Sequence, residues 1–239
     1  MKLIAFIMLL CVAAFAQQKG TLTDPRDGKK YKTVKIGTQT WMAENLNYHG
    51  TDGYLGLCHG DEPQEKIKKP ENCKKYGRLY GRKEVAQYYQ DSSSNMIIIR
   101  QKEVCPEGWH LPSHEEWVKL LNFVDGKDNV SIIKTDKADV SMLKTKNGWE
   151  YEYTDDRGRV TKEKKNGTDE YGFSALPGGW KNVGLGLGFT PIGASTCWWA
   201  ASGDCACIGT GFSYEQARYL RNEYGENLDL YYVRCIQDN

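Results

Sequence analysis

The chain has 239 residues, of which 32 are basic and 31 acidic, for a net charge near +1. So even a balance lacks the concentrated basic field that a nucleic-acid partner requires, and past the first residues no stretch is apolar for long enough to span a bilayer. The 25 glycines, 15 tyrosines and 7 tryptophans suit a loop-rich globular domain better than a helical bundle.

The chain opens with Met1-Lys2, runs apolar from Leu3 to Ala14 and then reads Ala14-Phe15-Ala16. A short positive region, an apolar core and small residues flanking a cut make a secretory signal peptide over 1–16, cleaved after Ala16. Lipidation at Cys11 is the competing reading, and the large Leu10 before it argues against that. Residues 17–23 read as a short polar leader, and 24–239 as a single exported domain that is secreted or displayed at the cell surface, with no transmembrane segment in the mature chain.

Seven cysteines remain after cleavage: Cys58, Cys73, Cys105, Cys197, Cys205, Cys207 and Cys235. Export implies an oxidising compartment, so disulfides are the expected state. Cys58 and Cys73 bracket a polar loop. Cys105 and Cys235 stand where they can tie the middle of the chain to its end. Cys197 is left to pair with Cys205 or Cys207, since cysteines two apart fit poorly to each other. The odd seventh thiol opens a route to a disulfide-linked dimer. Zinc is not expected, because the thiol spacing is wrong and Pro112 and Ser113 keep His110 and His114 off a common helix face. No other metal or cofactor is expected.

In chain order, Asp24-Pro25-Arg26-Asp27-Gly28 is a turn. Residues 31–36 alternate apolar and polar, turn at Gly37-Thr38 and return over 39–46 as a β-hairpin, with Trp41 in the core. From 47 to 75 a polar surface loop is expected, its lysines 66–75 solvated. A first helix is expected over 76–90, with Tyr80, Val85, Ala86 and Tyr89 on one face, and a short strand near Ile97-Ile98-Ile99. The second helix is the most strongly encoded element. Ser113 and Glu116 form a capping box, Glu115 and Glu116 suit the helix dipole, Trp117, Leu120, Leu121 and Val124 repeat at period 3.6, and Asp125-Gly126 ends it. Residues 125–170 read as loops with a turn at 155–158, and 171–180 as a strand running into a Gly-rich turn. Strands at 197–202, 217–221 and 230–236 then form an antiparallel sheet.

Four of these stretches, in this order, resemble one family. Residues 24–48 look like the opening signature of the Fibrobacter succinogenes major paralogous domain. Tyr76-Gly77-Arg78-Leu79-Tyr80, the stretch from Cys105 to Trp117, and Gly167 to Gly179 match its later blocks, and Val233-Arg234-Cys235 its end. The resemblance implies an exported or surface-displayed α+β domain with a C-type-lectin-like fold, two helices packed on small antiparallel sheets. It carries over no catalytic residue. The chain departs from the family pattern at Cys197-Trp198-Trp199-Ala200-Ala201-Ser202, where extra cysteines stand on either side.

Three functions follow as expectations. The first is a non-catalytic module that binds polysaccharide or another cell-envelope component through aromatic rings at Trp180, Trp198, Trp199, Tyr214 and Tyr219, against the plain alternative that these rings are core. The second is a structural or adhesive surface protein linked through the odd cysteine. The third, an enzyme on a formylglycine-generating-enzyme-like fold, finds no nucleophile elbow, no zinc-protease motif and no nominable pair of carboxylates.

Overall fold

In the computed structural model, which describes residues 17–53, 55–90, 97–101, 104–126, 140–155, 157–183, 188–203, 205–209, 218–220 and 229–238, the polar leader is not a tail. Lys19–Thr23 forms strand β1 on the edge of β2 (Lys30–Ile36), in register from Lys19 opposite Val34 to Thr23 opposite Lys30. Its side chains are almost all exposed, so it is held by the backbone ladder, which a reading of apolar period does not detect. Strand β2 buries Tyr31, Thr33, Val34 and Ile36 and points Lys30, Lys32 and Lys35 outward. Strand β3 (Gln39–Met42) returns beside it and places Trp41 and Met42 in the core.

The expected long loop contains a helix, α1 (Pro70–Tyr76). Pro70 presets the helical φ in the first turn, and Lys74 and Lys75 sit at the negative end of the dipole. The Cys58–Cys73 disulfide anchors it, and the Asp61 carboxylate accepts from the backbone N–H of Cys58 and of Lys69 at 3.0 and 2.6 Å. The helix expected over 76–90 does not form. Gly77, at φ 83°, ends α1, and the chain continues as β4 (Leu79–Gly81), one turn of helix α2 (Arg82–Val85), and β5 (Ala86–Gln90) paired with β6 (Ile97–Gln101). Leu79 and Tyr80 are both fully buried; neighbours on a strand point to opposite faces, so both faces of β4 are covered.

After β7 (Trp109–His110) comes α3 (His114–Asp125), which follows its sequence signals closely. Ser113 Oγ accepts from Glu116 N at 3.2 Å, and the Glu116 carboxylate accepts from Ser113 N at 2.8 Å. Trp117, Leu120, Leu121 and Val124 are buried, and Gly126 adopts the left-handed conformation that closes the helix. Residues 150–164, expected to be loop, form a hairpin of β8 (Glu150–Thr154) and β9 (Val160–Lys164). Cross-strand ion pairs Lys164–Glu150 and Lys162–Glu152, at 2.8 and 3.1 Å, line it. Strand β8 alternates glutamate and tyrosine, but β9 ends in three consecutive charges and neither strand has a fully buried face, which hid the hairpin.

The stretch 171–180 is irregular, with isolated bridges from Ala175 to Lys144 and from Gly179 to Thr196. It leads into β10 (Lys181–Asn182), β11 (Gly188–Phe189), β12 (Ser195–Trp199), β13 (Cys205–Gly209), β14 (Arg218–Leu220), β15 (Leu230–Tyr232) and β16 (Ile236–Gln237). The strand expected over 230–236 is two strands in different sheets. The break at Val233–Cys235 carries the chain across, with Leu46 N donating to Val233 O and Met42 N to Cys235 O at 2.8 and 3.0 Å.

Among the described residues, one sheet therefore runs β1-β2-β3-β16-β7, and the other β11-β10-β15-β12-β13-β14, with β4 also paired to β15. The first is antiparallel. The second is mixed, because β12 and β15 pair in parallel through Trp198 and Tyr232, where an antiparallel sheet was expected. Between the sheets and α3 lies an aromatic core, with ring centroids 4.7 Å apart for Trp41 and Trp117, 5.7 Å for Trp117 and Trp198, and 5.8 Å for Trp41 and Phe173. The architecture is α+β, but among the described residues only α3 exceeds two turns, where two packed helices were expected. No helix among the described residues is long and apolar enough to cross a membrane.

Disulfides join Cys58 to Cys73, Cys105 to Cys235 and Cys197 to Cys207. Of the two partners open to Cys197, the sheet selects Cys207, which stands directly opposite it on β13 with 4.1 Å between Cα atoms. That close approach is the spacing of an antiparallel pair that exchanges no backbone hydrogen bonds.

Candidate functional site

The aromatic candidates do not form a surface platform. Trp198 and Trp199 are fully buried. The Trp198 indole donates to Asn45 Oδ1 at 2.8 Å and the Trp199 indole to Tyr80 O at 2.7 Å. Trp180 is half-buried, packed on the core with its ring 5.4 Å from that of Tyr231. Tyr214 lies outside the described residues, and Tyr219 is described only as a backbone position of β14. Adjacent tryptophans on a strand face opposite sides, and here both sides of β12 are covered.

Nor does the odd cysteine reach the surface. Among the described residues Cys205 is the cysteine outside the three disulfides, and it is buried, with its sulfur 3.8 Å from that of Cys207. An interchain disulfide through it would require the second sheet to open. Among the described residues, no group of three or more His, Cys, Asp or Glu side chains is placed to hold a metal ion.

His110 is tied on both ring nitrogens. Nδ1 lies 2.6 Å from Asp238 Oδ1 and Nε2 lies 2.9 Å from Glu116 Oε1, so the last residues of the chain are fastened to the start of α3. Partial burial alone would push the imidazolium pKa down. The hydrogen bonds and charges of Asp238 and Glu116 outweigh it and raise the pKa above the ordinary 6.5. A raised folded-state pKa stabilises the protein fully below the unfolded value and ceases to do so as pH rises through the folded one. Wild type is therefore expected to lose about 0.5 kcal/mol relative to His110→Gln as pH climbs from near 6.5 to above the folded pKa, the site being solvent-screened. Urea melts of both proteins at several pH values check this, and parallel pH profiles would contradict it.

The feature with the chemistry of a binding site is a cleft of about 320 Å³ between β2, the segment after β3, and α1. That volume lies at the low end of the range for small-ligand sites. Alternation on β2 supplies Lys30 and Lys32, the C-terminal turn of α1 supplies Lys74 and Lys75, and Lys29 stands at the mouth. Against these five lysines the lining holds, among the described residues, one carboxylate, Glu44. Glu44 lies 3.6 Å from Lys32 Nζ and also accepts from Lys32 N, at 2.7 Å. Lys29 is engaged by Asp27 and Asn47 O at 2.7 and 2.9 Å. Lys75 Nζ sits 4.9 Å from the centre of the Tyr76 ring. Lys30 and Lys74 have no ion pair among the described residues and are exposed.

The floor is rigid. Asn45 donates to Tyr76 O at 2.7 Å and accepts from Arg234 Nε and Nη2 at 3.0 and 2.8 Å as well as from Trp198. Gly77 presses so close that a Cβ there would lie 2.6 Å from Asn45 Cβ, and its φ is positive, so no other residue fits. Behind the floor Arg234 is 1% exposed and has no carboxylate at ion-pair distance among the described residues. Burial pulls its pKa down to about 9, with Asp169 and Glu44 pulling weakly the other way, so it is charged at neutral pH. The cleft therefore has cations on both walls and one behind.

None of this is visible as a motif. Lysines 29–32 read as the polar half of a strand, and the Lys66–Lys75 run as a solvated loop. The only hint was the Cys58–Cys73 bracket, since a tethered Cys73 fixes Lys74 and Lys75 in place.

A family model described as Fibrobacter succinogenes major domain matches residues 34–237. No curated protein and no solved structure matches the chain.

Proposed function

The chain belongs to the Fibrobacter succinogenes major domain family, and from that premise we propose that it is a non-catalytic binding domain of an exported or cell-surface protein, on a C-type-lectin-like scaffold, whose ligand is a polysaccharide of the cell envelope or surroundings. The cleft carries this reading. Its walls are held by a disulfide and by the Asn45 node, so little conformational freedom is lost when a ligand enters.

Three disulfides support export, because such bonds persist in oxidising compartments. The lectin-like scaffold is supported by one sheet holding both the first strands and the last: β16 lies between β3 and β7, and Cys235 is clasped to Cys105. The content of the cleft favours binding over catalysis. Among the described residues it offers one carboxylate, where glycoside hydrolysis commonly uses two.

The test is a glycan array, extended with purified envelope polymers, probed with the 17–239 protein. Binding to at least one saccharide is expected. Silence across neutral and acidic sugars alike would refute the reading.

A further inference from the structure

We propose that the cleft selects acidic polysaccharides, sugar chains bearing repeated carboxylate groups, through Lys30, Lys74 and Lys75, with Glu44 limiting the affinity by occupying Lys32. The inference rests on the saccharide-binding reading and adds the charge class and the residues.

The charge of the cleft is local. The whole chain is almost neutral, so five lysines facing one glutamate mark a concentration on one surface and not a general basic field. The cations come from two walls. On β2, Lys30 and Lys32 share a face and are about 6.6–6.8 Å apart along the strand, which suits charges repeated along a polymer better than one compact anion. Lysine ammonium groups are compact, hydrated and mobile. They match carboxylates presented at varying positions, whereas a built phosphate site draws on backbone N–H groups at a helix start. Here α1 offers its opposite end, and lysines supply the positive charge.

Two of the remaining lining groups suit sugar. Ser174 gives its hydroxyl hydrogen to Asp169 at 2.8 Å and keeps acceptor capacity, and Leu176 adds a half-buried apolar contact. Arg234 strengthens the field from below. Its charge is shielded from solvent, so salt screens it less than the exposed lysines.

Glu44 tempers the affinity. Its carboxylate offsets part of the charge of Lys32 and repels an incoming acid. Glu44→Gln should keep the hydrogen bond from Lys32 N while freeing the ammonium.

The experiment is affinity electrophoresis and calorimetry of the 17–239 protein with polygalacturonate, alongside neutral dextran, inorganic polyphosphate and free galacturonate. Polygalacturonate is expected to bind, and to bind more weakly as NaCl rises from about 0.05 to 0.3 M, over which exposed charge pairs are progressively screened. Lys74→Ala with Lys75→Ala should weaken it about fivefold to tenfold, and Glu44→Gln should tighten it about twofold to fivefold. Both variants alter exposed or half-exposed side chains, and an unchanged melting curve verifies that they fold. Dextran binding without polygalacturonate binding would overturn the charge assignment while leaving the saccharide reading standing. Polyphosphate binding as tight as polygalacturonate binding would overturn the sugar assignment. Polygalacturonate binding indifferent to both variants would overturn the location.

Discussion

Arg234→Ala is expected to lower the unfolding free energy by about 3–5 kcal/mol, and Arg234→Met by about 1–3 kcal/mol. The guanidinium sits among the aromatic core, its carbon 4.3 Å from the Phe173 ring centre and 5.2 Å from that of Trp198. It donates to Asn45 Oδ1 and to Phe173 O. Alanine removes both the donors and the stem, leaving buried acceptors and a cavity. Methionine keeps most of the volume and removes only the donors. The difference between the two variants thus separates packing from hydrogen bonding, and denaturant melts measure both. Working against the native arginine is the desolvation of its charge, the same burial that depresses its pKa. If Arg234→Met is as stable as wild type, that desolvation cancels the hydrogen bonds, and Trp198 and Tyr76 suffice to hold the node at Asn45.

Loss of the Cys105–Cys235 disulfide is expected to cost about 4–5 kcal/mol, against about 3 kcal/mol for Cys58–Cys73. The first spans 130 residues and the second 15. In the chain-entropy model the longer loop constrains the unfolded ensemble more. A cost of that size is a large part of the stability of any single domain. The clasp also has a local consequence. Cys235 stands between Arg234 and β16, so releasing it loosens the segment that crosses between sheets. Paired Cys→Ala variants, melted without reductant, give the comparison. An unchanged midpoint for Cys105→Ala with Cys235→Ala, or a larger loss for the short loop, would show that strain or residual structure outweighs loop entropy here.

How far these features were legible depends on the span of their causes. Helix α3 is written within fourteen residues, from the Ser113 cap to Gly126, and every determinant acts within a turn of the next. The β2–β3 hairpin is likewise carried by alternation and a two-residue turn. Helix α1 was not legible, because seven residues flanked by lysines owe their shape to a disulfide reaching back to Cys58. The split of 230–236 was hidden for a similar reason. Arg234 can be buried in the break between β15 and β16 only because Asn45, 189 residues earlier, and Phe173, 61 residues earlier, accept from it. The aromatic candidates went the same way: a Trp-Trp pair looks like a platform until both faces of its strand are found covered.

The sequence by itself determined the local elements with strong caps or clean periods, the cysteines available for bridging and the resemblance to a family. Tertiary structure alone decided that Trp198 and Trp199 are buried, which described cysteine is left out of the disulfides, and that Lys30 and Lys32 face Lys74 and Lys75 across one cleft. The division follows the range of the forces. Caps and periodicity act between neighbours in sequence, whereas burial and electrostatic potential are sums over groups that only folding brings together.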